Sequence, residues 1–251
     1  MIHYLETNLT WNKTDIKTII PLSLTLICFI TYWFIAQSES IKSKFYAENS
    51  PDAASVKHIF FTKYIGFLMM GIVPLVACII LLKNTSLAYY GLTINPSTTL
   101  FSIVWIVTLS VIVMPLAYLS GKKPKNFDNY PQIRAKHWTK KIFIINLLGW
   151  AIYLFGYEFL FRGVLLFPLS ESIGIWPAIT INVVIYSATH IPKGLDETIG
   201  AIPLGFVLCV LTLLSGTIWI AFLVHVVLAW TNSLTALKFH PDIKYYKWKK
   251  K

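Results

Sequence analysis

Residues 144–168 read IINLLGWAIYLFGYEFLFRGVLLFP, a 25-residue run with two charges, Glu158 and Arg162. At about 1.5 Å per residue, such a helix is long enough to cross a hydrocarbon core of about 30 Å. Similar apolar segments lie at 18–36, 64–82, 100–119, 171–191, 199–214 and 217–236. The composition agrees: 56% hydrophobic, 13% charged, mean hydropathy +0.63. A soluble domain carries about 25% charged residues. The expected fold is therefore an all-α, polytopic transmembrane helix bundle of about seven spans. Ser215-Gly216-Thr217 leaves room only for a tight turn, so the last two helices form a hairpin.

Charge sets the expected orientation. With seven spans, the loops on one side (37–63, 120–141, 192–198 and 237–251) hold 18 Lys and Arg, and the other side holds four. The positive-inside rule puts that basic side in the cytoplasm, with the N-terminus out and the C-terminus in. The basic, aromatic tail from Lys244 to Lys251 reads as a topology anchor. Net charge +11 is thus a membrane-topology signal, and no nucleic-acid partner is expected. Cys28, Cys78 and Cys209 all lie in apolar runs, as small core residues do. No nucleotide-binding Gly-rich loop, CxxC or HExxH occurs. The chain divides into a three-span region with a basic loop (1–143), a four-span core (144–236) and a basic tail (237–251).

Chemistry is sought among the polar groups inside the spans. An ion at mid-membrane costs at least about 2.5–3.5 kcal/mol, so it needs a partner and usually has a task. Glu158 has a natural partner in Arg162, one helical turn on. His190 closes the fifth segment and His225 lies in the last. Counted from the outer ends, Glu158 and His225 sit at similar depths. His190 sits deeper, so a tilted or kinked fifth helix is needed for all three to meet. If they meet, Glu and His can activate a water while a second His stabilises an oxyanion. Glu158, His190 and His225 are equally a zinc ligand set with an open position. They also suit a proton relay in a transporter, although no internal repeat supports that architecture.

Glu158 to Gly163, then Tyr186 to His190, then His225 resemble the three motifs of the CPBP (CAAX protease and bacteriocin-processing, or Abi) intramembrane proteases. The family pattern is Glu-Glu-x-x-x-Arg, Phe-x-x-x-His and His-x-x-x-Asn or Asp. The resemblance covers 144–236 and implies an intramembrane endopeptidase. Its substrate would be a peptide or protein in the bilayer, either a prenylated protein or a secreted precursor. It implies a bacterial cytoplasmic membrane and no required cofactor. Carried onto this chain, Glu158 is the base, His190 helps activate water and His225 stabilises the oxyanion, with Arg162 and Tyr186 in support. Two positions depart: Tyr157 replaces the first Glu, and Ala229 replaces the Asn four residues after His225. Asn232 or the Tyr157 hydroxyl is expected to cover part of the missing chemistry. The alternative is a weak or inactive member that binds peptides, as in bacteriocin immunity.

Overall fold

Asn12 opens the first helix with a reciprocal cap. Its side chain accepts from the Asp15 amide and the Asp15 carboxylate accepts from the Asn12 amide, both at 2.9 Å. From this start a computed structural model describes residues 10, 12–82 and 85–245. The helices are α1 (Lys13–Ala36), α2 (Glu39–Glu48), α3 (Pro51–Phe67), α4 (Val73–Leu81), α5 (Thr99–Gly121), α6 (Lys140–Glu158), α7 (Phe167–Ile173), α8 (Ile175–Ala188), α9 (Leu195–Ser215) and α10 (Trp219–Phe239). π-Helical stretches at Leu68–Ile72 and Phe159–Leu166 join α3 to α4 and α6 to α7 into continuous rods. In hydrocarbon the backbone must bond to itself, and these uninterrupted helices do so.

Among the described residues, six helical segments are long and apolar enough to cross a membrane: Thr14–Ala36, Pro51–Leu81, Pro96–Gly121, Lys140–Ile173, Leu195–Ser215 and Trp219–Phe239. The chain is an all-α bundle and an integral membrane protein. The fifth expected segment, 171–191, is divided instead. Gly174, at φ +91°, separates α7 from α8. α8 has only 14 residues, about 21 Å of helix. The turn expected at Ser215–Thr217 is present, with Gly216 at φ +68°.

Two sets of contacts define the ends of the bundle. At one end Lys17 pairs with Glu171 at 2.5 Å, the Tyr89 hydroxyl donates to Glu171 at 2.6 Å, and the Trp219 indole donates to the Thr93 carbonyl at 2.8 Å. At the other end a two-residue parallel ladder joins β1 (His137–Trp138) to β2 (Lys244–Tyr245). There the Arg134 amide donates to Ser55 Oγ at 2.7 Å, and Lys125 pairs with Asp196 at 2.5 Å. The residues of the expected tail beyond Tyr245 lie outside the described residues.

The rod α6–π–α7 runs through the middle. Every residue from Phe159 to Leu166 is buried, the charged Arg162 included. α5 turns Leu100 and Val111 outward, at 74% and 65% exposure, toward where lipid would lie. Glycines set the α3–α6 spacing. A Cβ on Gly156 would stand 2.9 Å from the Phe67 Cα, and one on Gly66 would strike the Tyr153 ring at 2.4 Å. Small residues let membrane helices approach backbone to backbone, where van der Waals contact replaces the hydrophobic effect as the adhesive.

Candidate active site

The site begins at the π-helical turn Phe159–Leu166. Such a turn carries carbonyls off the regular i−4 ladder, and another group must satisfy them. The Asn182 amide, from α8, donates to the Phe161 carbonyl at 2.6 Å. The Cys209 thiol, from α9, donates to the Asn182 side-chain oxygen at 3.3 Å. Asn182 thus acts as an interhelical tie, as does Asn146, which accepts from Ser233 at 3.3 Å.

Glu158 and Arg162 straddle the start of this turn, and both are fully buried. Arg162 Nε lies 3.4 Å from Glu158 Oε2, and its guanidinium rests 4.2 Å above the Tyr186 ring. Two opposite charges and an aromatic face lower the cost of taking these ions out of water. The other carboxylate oxygen, Oε1, lies 2.6 Å from Nδ1 of His225 on α10.

His190 approaches from the turn after α8. Its Nδ1 lies 2.9 Å from the Tyr186 carbonyl. A carbonyl only accepts, so Nδ1 carries the hydrogen and Nε2 keeps its lone pair. His225 has the same asymmetry, with Nδ1–H directed at the Glu158 carboxylate and Nε2 as its free nitrogen. The two rings are stacked with centroids 6.4 Å apart. The convergence that the sequence left open is therefore present. His190 is carried there on the turn that follows α8, which stops at Ala188.

Two cavities meet at these rings. A polar one of about 170 Å³ reaches from Gln37, Asn129 and Lys193 at the basic end down to Tyr157, His190 and His225. An apolar one of about 540 Å³ runs between α5, α9 and α10, lined by Ile112, Leu116, Leu204, Val207 and Leu228. His190, His225, Trp150 and Lys193 border both. Glu158 borders neither and sits behind His225.

The remaining expected residues are placed as follows. Tyr186 packs on His190, centroids 4.9 Å apart, and on Arg162. The Thr189 hydroxyl donates to the Tyr186 carbonyl at 2.7 Å, so the Tyr157 hydroxyl, 2.7 Å away, must donate to Thr189. The proton of Tyr157 is therefore already engaged. Asn232 lines the apolar cavity together with His225 and Ala229. Among the described residues no group of three or more His, Cys, Asp and Glu is arranged to hold a metal ion.

Lys63, at the end of the loop expected over 37–63, lies inside α3 instead and is 4% exposed. Its ammonium sits 3.1 Å above the Trp150 ring and 4.4 Å from the Tyr153 ring, on the wall of the polar cavity. Arg162 likewise leaves the loop count for the interior.

Fold and site together define an integral membrane protein with a carboxylate–imidazole pair buried where a polar and an apolar cavity meet. Residues 137–231 match the family model described as Type II CAAX prenyl endopeptidase Rce1-like. Over that part the chain carries a CPBP-type CAAX-protease domain, and its Glu158–His225 pair suits a protease site. No curated protein and no solved structure matches the chain.

Proposed function

We propose that this protein is an intramembrane endopeptidase that hydrolyses a peptide bond of a membrane-associated substrate with an activated water. The observation that carries the reading is the 2.6 Å contact between Glu158 and His225 at the junction of the two cavities. The apolar cavity suits a lipid chain or membrane-embedded segment of a prenylated or precursor substrate, and the polar cavity gives water a route from the basic end.

In this reading a water donates its hydrogens to Nε2 of His190 and Nε2 of His225. His225 takes one proton as the water oxygen adds to the scissile carbonyl, and the Glu158 carboxylate balances the imidazolium. The tetrahedral oxyanion is met by an amide donor, for which Asn232 is the nearest candidate on α10. Protonated His225 then gives its proton to the leaving nitrogen, and a carboxylic acid and an amine result, which exchange a proton to become carboxylate and ammonium. Glu158, His190 and His225 remain the catalytic set. The carboxylate acts through the imidazole, because it does not border the cavity. Arg162 and Tyr186 hold Glu158 in place.

The short α8 is read as a seventh crossing, because contacts at opposite ends of the bundle bracket it. The basic end is read as cytoplasmic, giving N-out and C-in in a bacterial cytoplasmic membrane. Residues 144–236 form the catalytic core, preceded by the three-span region 1–143 and followed by the tail 237–251.

A second reading, peptide binding without cleavage, is favoured by Tyr157 and Ala229, which lack the family's carboxylate and amide. The two are separated by comparing peptide termini in membranes of cells expressing wild type or Glu158→Gln at equal levels. New termini present only with the wild type support the peptidase. Identical termini, with both proteins inserted, select the binding role.

A further inference from the structure

α5 and α10 finish side by side at the basic end, and a glycine lets them approach. A Cβ on Gly121 would stand 2.9 Å from the Thr235 Cβ and 3.2 Å from the Asn232 carbonyl oxygen. Small residues permit such backbone contact between membrane helices. The contact brings the next residue, Lys122, beside the last turn of α10. The Lys122 ammonium sits 4.0 Å from the centroid of the Tyr118 ring and 5.2 Å from that of Phe239. The Lys238 ammonium lies 5.4 Å from the same Phe239 ring, and the Tyr118 and Phe239 rings meet edge to face at 6.2 Å.

Two cations thus share one aromatic pair, and like charges held together favour an anion between them. The chain does not supply it. Among the described residues neither Lys122 nor Lys238 has a carboxylate within ion-pair distance, whereas Lys123 and Lys125 pair with Asp196 and Lys193 pairs with Glu197. The attraction of a helix C-terminus for a cation accounts for one lysine on each helix. It does not account for both gathering on one ring.

The surface next to these cations is apolar. Val111, Met114 and Tyr118 form one stripe of α5, spaced by three and four residues, and all are exposed. The stripe runs for about 10 Å along the helix. None of its residues lines the apolar cavity, which takes Ile112, Val113, Leu116 and Ala117 from the same helix. A cationic and aromatic head above an apolar stripe matches a phospholipid, with the phosphate at the interface and an acyl chain beneath it. Tyr118, Lys122, Lys238 and Phe239 lie outside the residues 137–231 that match the family, so the feature belongs to this chain's own flanking regions.

We propose that the ends of α5 and α10 form a binding site for an anionic phospholipid in the leaflet at the basic end. Lys122 and Lys238 hold the lipid phosphate through charge-assisted hydrogen bonds. Tyr118 and Phe239 flank the glycerol, and an acyl chain lies along Met114 and Val111. A zwitterionic lipid brings a cation of its own, which the two lysines repel, so the site selects by net charge. The proposal stands apart from the peptidase reading and is tested without cleavage.

The test is native mass spectrometry of the detergent-purified full chain, titrated with dioleoylphosphatidylglycerol or dioleoylphosphatidylcholine. One phosphatidylglycerol should bind the wild type about tenfold or more tightly than phosphatidylcholine, since each lysine contributes about fivefold toward an anionic lipid. The double variant Lys122→Met, Lys238→Met should erase the preference, and Lys122→Arg, Lys238→Arg should keep it. Lys123→Met, Lys125→Met removes the same charge from the same end and should also keep it. Glycerol 3-phosphate, which has the phosphate without the acyl chains, should bind at least about tenfold more weakly than phosphatidylglycerol. Equal binding of the two lipids by the wild type overturns the proposal without reference to any variant's folding. So does a preference that survives Lys122→Met, Lys238→Met. A preference lost equally in Lys123→Met, Lys125→Met would mean general attraction to the basic end and would also overturn it. Glycerol 3-phosphate binding as tightly as phosphatidylglycerol would make this a free-phosphate site and overturn the lipid assignment.

Discussion

His225 Nδ1 lies 2.6 Å from Glu158 Oε1, and Arg162 Nε lies 3.4 Å from the opposite oxygen of the same carboxylate. Glu158 is thus held from both sides and shielded from the cavity by the imidazole it orients. The ring presents its free nitrogen to a space that the polar cavity joins to the basic end. The carboxylate contributes charge and direction, and the imidazole handles the proton.

The buried pair predicts an asymmetric stability effect. Arg162→Met leaves the Glu158 carboxylate buried beside a single imidazole and should cost about 3–5 kcal/mol. Adding Glu158→Gln removes that uncompensated charge and should restore part of the loss. Thermal unfolding of the single and double variants in nanodiscs checks this. A double variant less stable than Arg162→Met would contradict it.

Tyr157 donates its proton to Thr189, so it has none to offer an oxyanion. Tyr157→Phe should lower kcat by less than about tenfold, with its folding unchanged. A fall of a hundredfold or more would return the hydroxyl to the chemistry.

Asn232 is the amide on α10 that shares a cavity with His225. If it meets the oxyanion, Asn232→Ala should lower kcat by about 10²–10³ and leave KM nearly unchanged. Unchanged kcat in an assay that Glu158→Gln abolishes would remove Asn232 from the mechanism.

The helix spacing that carries Lys63 to the cavity should be sensitive at one glycine and tolerant at another. Gly156→Ala would press a methyl group against the Phe67 backbone at 2.9 Å and should cost about 1–3 kcal/mol. Gly149→Ala meets only the flexible Lys63 stem at 3.4 Å and should be close to neutral. Comparable losses at both positions would mean that backbone approach does not set the spacing.

Much of this site was legible because hydrocarbon makes charge conspicuous. Glu158, Arg162, His190 and His225 stand out in apolar runs, and the i, i+4 spacing of the first two named the pair. Other features left no such mark. Lys63 borders an apolar run, where a lysine ordinarily marks the membrane interface, and the space for its stem depends on Gly149, in a helix far along the chain. The π-helical turn has no hydrophobic period of its own, so a helix continuous from 144 to 168 was the only reading available. The segment 171–191 reads as one span because Gly174 interrupts it without a change in hydropathy. That Glu158 lies behind His225 depends on side-chain direction, which spacing along three separate helices does not encode.

The account's central claim is that Glu158 works through His225. Single-turnover cleavage of a peptide identified from the terminus comparison tests it most directly, using purified wild type, Glu158→Gln, His225→Ala and the double variant. Residues acting as one unit are non-additive. Each single change should lower the rate by about 10²–10⁴, and the double variant should be no slower than His225→Ala alone. A double variant slower by the product of the two single effects would show that Glu158 acts on the water independently of His225, which would contradict the account.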